Sequence, residues 1–230
     1  MMPRAWDFRK LGRDALAGNW MMAILVTLLA VILGALSIGY GFHFTINITV
    51  NDHVQNIWYY FPSGLWWSFY SLIVFFIGAA IELGLCAYYI NLQRKDDCGV
   101  ENLFQYFSIF GQALLLRLYI WLLVFLWSLL LVIPGIIAAY RYSMAPYLMS
   151  QNRELTVTEA VNLSKQMTYG HKGRLFCLDI SFFGWVLLGS ITFGLGMLFV
   201  IPYILSSRAA FFLDLNYHYH QEHAAQQPVS

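Results

Sequence analysis

Four ionisable side chains stand in stretches that otherwise carry almost no charge: Glu82, Arg141, Asp179 and Arg208. An ionisable group in a membrane helix costs about 2.5–3.5 kcal/mol on insertion scales, so it must pair, reach water or serve a ligand. Two guanidinium forks match the geometry of a phosphate or carboxylate. Arg141 and Arg208 each lie one to two turns past a proline, so with Asp179 and Glu82 they form a candidate anion site. The competing reading is a structural ion-pair network, or arginines snorkelling to headgroups. In a network, Arg141→Ala lowers stability. At an anion site it leaves the fold intact and abolishes stabilisation by ligand. Pro134, Gly135 and Pro202 are expected to break helical hydrogen bonding within apolar segments. Such breaks build substrate sites in transporters and also ordinary kinks in inert bundles. Pro146 is expected to end a helix.

Other chemistry is sparse. His218, His220, Glu222 and His223 cluster near the C-terminus. On a helix, His220/His223 and His218/Glu222 form two pairs that point apart, so no metal site is expected and 218–230 reads as a disordered tail. His43 and His53 are isolated, and His171, between Gly170 and Lys172, is expected among headgroups. Cys86, Cys98 and Cys177 have no zinc or CxxC spacing and are expected to be reduced. No HExxH, GxSxG or P-loop occurs, nor a dinucleotide fingerprint in a strand–helix setting. That excludes an ATP-driven or soluble-type active site, and no cofactor is expected. A net charge of +1 gives no basic field to hold nucleic acid.

The elements that must position these residues follow from composition. The chain is 60% hydrophobic and 11% charged over 230 residues, against roughly 45–50% and about 25% in soluble domains. A bilayer is the solvent that accommodates so much apolar surface. A spanning helix needs about 20 mostly apolar residues. Segments 20–40 and 65–90 qualify, and the first is too long for a signal-peptide core of about 7–15 residues. Segment 113–149 is ambiguous. If it crosses once, Arg153, Lys165, Lys172 and Arg174 lie opposite Arg4, Arg9, Lys10, Arg13, Arg94 and Lys95. If it is a hairpin turning near Trp127-Ser128, the cations gather on one side, as the positive-inside rule asks. The expected fold is therefore an all-α, polytopic transmembrane bundle of six spans in three hairpins: 20–40, 65–90, 113–127, 129–149, 174–190 and 196–215. Both termini are expected in the cytoplasm, and the third span is expected barely to cross. Leu131-Val-Ile-Pro-Gly-Ile-Ile-Ala-Ala-Tyr-Arg141 resembles Phe199-Val-Ile-Pro-Tyr-Ile-Leu-Ser-Ser-Arg208, which suggests a hairpin repeat.

Three cytoplasmic amphipathic helices are expected at 4–17, 100–111 and 156–169. Their apolar stripes are Phe8, Leu11 and Ala15; Leu103, Phe107 and Phe110, widened by Phe104; and Val157, Ala160, Val161, Ser164 and Met167. Thr156 and Glu159 fit a capping box, and Gly170 a stop. For the basic first helix, headgroup binding and packing on the bundle end are both open. The external loop 41–64 alternates Phe42, Phe44, Ile46, Ile48 and Val50 with polar residues, then turns at Asn51-Asp52. Trp58, Tyr59, Tyr60, Trp66 and Trp67 read as an interfacial aromatic belt.

The stretch from Ile133-Pro-Gly-Ile to Ala145-Pro-Tyr147 and the block Glu159-Ala-Val-Asn-Leu-Ser-Lys165 carry a resemblance. So do Gly170-His-Lys-Gly-Arg-Leu-Phe176, Ile201-Pro-Tyr203 with Arg208-Ala-Ala-Phe211, and Ala15-Leu-Ala-Gly-Asn-Trp20. Over nearly the whole chain these resemble a bacterial integral membrane family known as domain of unknown function 975. That family is similar in layout to the membrane domain attached to some glycerophosphodiester phosphodiesterases. The resemblance implies a bacterial plasma-membrane protein and carries no activity or catalytic residue. The first functional expectation is a non-enzymatic protein that binds anionic lipid or a membrane partner, with homo-oligomers open. The second is a transporter for an anionic or amphipathic solute near Arg141 and Arg208. The third is an intramembrane enzyme acting on lipid.

Overall fold

The computed structural model describes residues 3–35, 63–96, 98–192 and 194–226, and every regular element among them is helical. The chain opens with α1 (Ala5–Leu16) and α2 (Trp20–Ile32), whose axes meet at 102°. Gly18, at φ +87, makes the corner where a side chain would be strained. α1 buries Phe8, Gly12 and Leu16, a stripe at i, i+4 and i+8. Leu11 is exposed and Ala15 only half-buried, so the expected face is rotated. The cause is Gly12: its missing side chain lets α1 close on Ser207 of the last helix, α10 (Met197–Gln226), and Ser206 Oγ donates to the Gly12 carbonyl at 3.0 Å. α1 is thus packed on the bundle end.

α3 (Ser63–Arg94) is the central helix. Its two faces serve two hydrophobic clusters. Ile81, Leu85, Tyr88, Tyr89 and Leu92 share a cluster with residues of α1, α2, α7 (Ala145–Gln151), α9 (Lys172–Ile191) and α10. Ala79, Leu83 and Ala87 share a second cluster with residues of α5 (Phe110–Leu130), α6 (Val132–Tyr142) and α8 (Val157–Met167).

α5 has 21 residues and so runs about 31 Å, long enough to cross a hydrocarbon core. The expected marginal span 113–127 is therefore replaced by a full-length helix. The chain reverses at Leu131, the one extended residue between α5 and α6, and Gly135 then packs directly against Ser128. The expected span 129–149 is not one helix. It is α6, of 11 residues, and α7, of 7. Pro134 lies in the first turn of α6, and Pro146 in the first turn of α7, where no intrahelical N–H is needed. The helix does break beside Pro134-Gly135, at Leu131, whereas Pro146 starts α7, so the expected stop there is corrected. Pro202 does lie inside α10.

α4 (Glu101–Phe104) and a 3-10 segment at Gln105–Ile109 replace the single helix expected at 100–111. They bury Asn102, Leu103 and Tyr106, while Phe104, Phe107 and Phe110 stack ring on ring at 6.0 and 6.4 Å. Phe104 and Phe107 are exposed. α8 follows expectation: Ala160, Val161, Ser164 and Met167 are buried, Thr156 and Glu159 form the capping box, and Gly170 turns at φ +79. α9 ends at Ile191 and α10 begins at Met197, and Gly189 and Gly196 touch backbone to backbone. α10 continues to Gln226, so 218–226 is helical where a disordered tail was expected.

α2 ends at Ile32, and the chain turns at Gly34 (φ +81), so the expected span 20–40 is interrupted. The loop 41–64, expected to be external, lies outside the described residues except for Ser63 and Gly64, which open α3. Its strand-like period and the aromatics Trp58, Tyr59 and Tyr60 lie outside as well. By length and composition, four helical stretches can cross a membrane: Val74–Arg94, Glu101–Leu130, Lys172–Ile191 and Met197–Gln221. A fifth is obtained if the bent pair α1–α2 counts as one. The shortfall from six lies at α2 and at α6. Large apolar side chains are exposed along α5, α6 and α9, among them Leu126, Leu129, Val132, Ile133, Phe183 and Ile191. An apolar surface of that continuity asks for a covering other than water.

Candidate functional site

A cavity of about 230 Å³ opens at the seam between the two hydrophobic clusters. α3 supplies Glu82, Leu85, Cys86 and Tyr89. α5 supplies Leu116, Arg117, Ile120 and Trp121; Tyr142, Ser143 and Tyr147 come from the α6–α7 corner, and Leu205 and Arg208 from α10. Its walls are thus mainly aliphatic and aromatic, with three charged side chains among them. Glu82 faces the seam because it lies between the two packing stripes of α3.

Arg208 and Asp179 form a bidentate pair across α10 and α9: Nε donates to Oδ1 at 3.0 Å and Nη2 to Oδ2 at 2.6 Å. This is the pairing expected of opposite charges in an apolar setting. Arg117 was not anticipated as a site residue. Its Nη2 donates to the Gly34 carbonyl at 2.8 Å, its Nη1 to the Phe75 carbonyl at 3.2 Å, and its guanidinium carbon lies 5.4 Å from the Phe75 ring centre. It thereby clamps the end of α2 to α3, and Gly78 fits against the Gly34 backbone in the same joint. Arg117 Nε faces Glu82 at 3.6 Å. The signal was in the sequence: Arg117 is the one charged residue between Glu101 and Arg141, as Glu82 is the one acid between Asp52 and Asp96.

Arg141 does not join this group. It lies in the last turn of α6, is half-buried, and does not line the cavity. Its carbonyl accepts from Ser164 Oγ at 2.9 Å and Thr168 Oγ1 at 3.2 Å, which ties α6 to α8. The structure therefore brings Glu82 and Arg208 to one cavity, places Asp179 behind Arg208, and leaves Arg141 elsewhere. A joint Arg141/Arg208 anion fork is not assembled.

A second ionic cluster joins α9, α10 and α1. Arg174 Nη2 donates to Asp214 Oδ2 at 2.7 Å and to the Pro3 carbonyl at 3.2 Å, and the guanidinium lies 5.5 Å from both the Phe8 and Phe211 ring centres. His218 reaches the same carboxylate from the next turn at 3.4 Å. Among the described residues no three His, Cys, Asp or Glu side chains gather to hold a metal, and Cys86, Cys98 and Cys177 are free thiols.

The chain matches the model of a family described as a protein of unknown function, DUF975, over residues 1–134 and 128–218. No curated protein and no solved structure matches it.

Proposed function

Because the chain belongs to the DUF975 family, whose description gives no activity, we propose its role from the cavity: an integral membrane protein that binds a membrane amphiphile non-enzymatically. The observation that carries this reading is the cavity's composition. Apolar walls from α3, α5 and α10 suit a hydrocarbon tail, and Glu82, Arg117 and Arg208 suit a polar head. The placement follows the same logic. Arg94 is 12 residues beyond Glu82 on α3, about 18 Å along the axis, and Asp179 is about 10 Å into α9 from Lys172. With the cations of α1, α8 and the ends of α3 and α9 at the cytoplasmic face, the cavity sits within the bilayer and both termini are inside. The host membrane in this reading is a bacterial plasma membrane, and the exposed faces of α5 and α6 meet lipid or a partner subunit.

The non-enzymatic reading is supported by Ser143, the cavity's aliphatic hydroxyl, which donates to the Tyr140 carbonyl at 2.9 Å rather than to a base. An anionic head was the expectation from the sequence. It depended on Arg141 and Arg208 acting together, so the reading narrows here to an amphiphile of unspecified charge. A carrier is the alternative. Pro202, six residues before Arg208, removes the helical donor from the Leu198 carbonyl and gives α10 a hinge beside the cavity. A lipid-acting enzyme ranks lowest.

The test is native mass spectrometry of the purified chain against an Ala139→Trp variant, which fills the cavity from its exposed edge. Retained lipid is expected to fall at least tenfold. Equal retention in the two sinks the reading. Substrate counterflow in proteoliposomes, abolished by the same variant, would favour the carrier.

A further inference from the structure

We infer that the cavity recognises a positively charged ammonium head, with Glu82 as its counter-charge and Trp121 and Tyr142 as aromatic walls. The inference rests on the amphiphile-binding reading and gives the head its sign.

Both arginines of the cavity spend two donors on the protein itself. Arg208 gives Nε and Nη2 to Asp179. Arg117 gives Nη1 and Nη2 to the carbonyls of Phe75 and Gly34. The acceptor side is in surplus. A carboxylate offers about four lone-pair positions, and among the described residues Glu82 makes one polar contact, to Arg117 Nε at 3.6 Å. That exceeds the roughly 2.7–2.9 Å of a charge-assisted hydrogen bond. Accessibility points the same way: the Glu82 side chain keeps 20% of its surface and that of Arg117 keeps 2%. The acid is presented to the cavity and the base is withdrawn into the joint between α2 and α3.

Arg208 is offset by Asp179, and Arg117 is turned into the α2–α3 joint by the carbonyls of Gly34 and Phe75, which leaves Glu82 as the charged group presented to an incoming ammonium. Trp121 and Tyr142 line the cavity, and aromatic rings attract an ammonium through their quadrupoles. A volume of about 230 Å³ takes the head and the first methylenes of a tail.

The experiment follows the thermal midpoint of the full chain in maltoside micelles during titration with three single-chain amphiphiles. Lysophosphatidylethanolamine carries the ammonium on a lipid head, dodecyltrimethylammonium carries it on a free amphiphile, and lysophosphatidylglycerol is anionic. The expected result is a rise with one or both ammonium compounds and none with lysophosphatidylglycerol. A rise with the lysolipid alone assigns the head to a lipid, and a rise with both assigns it to the ammonium itself. Glu82→Gln, which keeps an acceptor for Arg117, is expected to shift the half-effect concentration at least tenfold. Trp121→Leu, at a partly exposed position, is expected to shift it several-fold. If Glu82→Gln does not fold, the wild-type preference among the three compounds decides the matter. A rise with lysophosphatidylglycerol equal to the others, or an unchanged Glu82→Gln, overturns the sign. If Ala139→Trp still abolishes those effects, amphiphile binding stands and the sign alone has failed. No rise with any compound, with lipid retention unaffected by Ala139→Trp, overturns both.

Discussion

Arg208 and Asp179 share two hydrogen bonds while keeping 14% and 19% of their side-chain surface. Removing one partner of a fully buried pair costs about 3–5 kcal/mol. For this half-buried pair, Arg208→Ala is expected to cost about 2 kcal/mol. In a chain of this size that lowers the thermal midpoint by about 4–8 °C. Exchanging the charges, Asp179→Arg with Arg208→Asp, should recover part of the loss. A double exchange worse than the sum of its halves would refute the pairing. A second residue-scale outcome concerns acid. The Thr156 hydroxyl and N–H donate to the Glu159 carboxylate at 2.7 and 2.9 Å and hold it below its ordinary value of 4.5. A depressed folded value means the cap stabilises α8 above the unfolded value and is lost as pH falls through the folded one. Amide exchange in the first turn of α8 should therefore accelerate below about pH 4 beyond its intrinsic rate. In Thr156→Val that extra acceleration should be absent. The pairing of Asp179 with an arginine was legible because opposite charges in apolar helices must meet. Choosing Arg208 over Arg141 was not, because depth along a helix does not say which way a side chain faces.

The elements divide by how far local pattern decides them. Most of α8 was readable, since cap, glycine stop and four of the five stripe residues agree, Val157 alone being only half-buried. The segment 100–111 was not. Its aromatic spacing implied one buried face, yet Leu103 from α4 and Tyr106 from the 3-10 segment turn inward and the phenylalanines stack outside. Apolar residues mark an inside only when water is the solvent. α1 failed for the opposite reason: its contact to α10 runs through Gly12, which no hydrophobic count registers. A Cβ there lies 2.9 and 3.0 Å from the backbone N and Cα of Ser207. Gly12→Val is thus expected to lift α1 from α10 at about 1–3 kcal/mol. Gln93 is held to Ser206 in the same joint, at 2.9 and 3.0 Å. Protease cleavage near Gly18, rising several-fold in the variant, would be the readout. Unchanged cleavage would place the hold elsewhere.

At the scale of the molecule, two hydrophobic clusters share one central helix, and the cavity is the space their seam leaves unfilled. Composition announced a membrane solvent, but it could not announce a seam, which depends on how α5 and α10 pack against opposite sides of α3. Orientation is open to direct measurement. A single cysteine replacing exposed Asn162 on α8 is expected to resist an impermeant reagent applied to intact cells, and one replacing Gln55 is expected to react. The reverse pattern would invert the proposed topology. The docking of α1 also bears on how the chain is made. Gly12 and Ser206 bond across 194 positions. At about 5–20 residues per second, the ribosome delivers the second partner roughly 10–40 s after the first. Through that interval α1 lacks its main partner and can meet only α3 and, later, α9, so an unfinished or stalled product holds its basic arm loosely, and full closure of that arm reports that synthesis has reached α10.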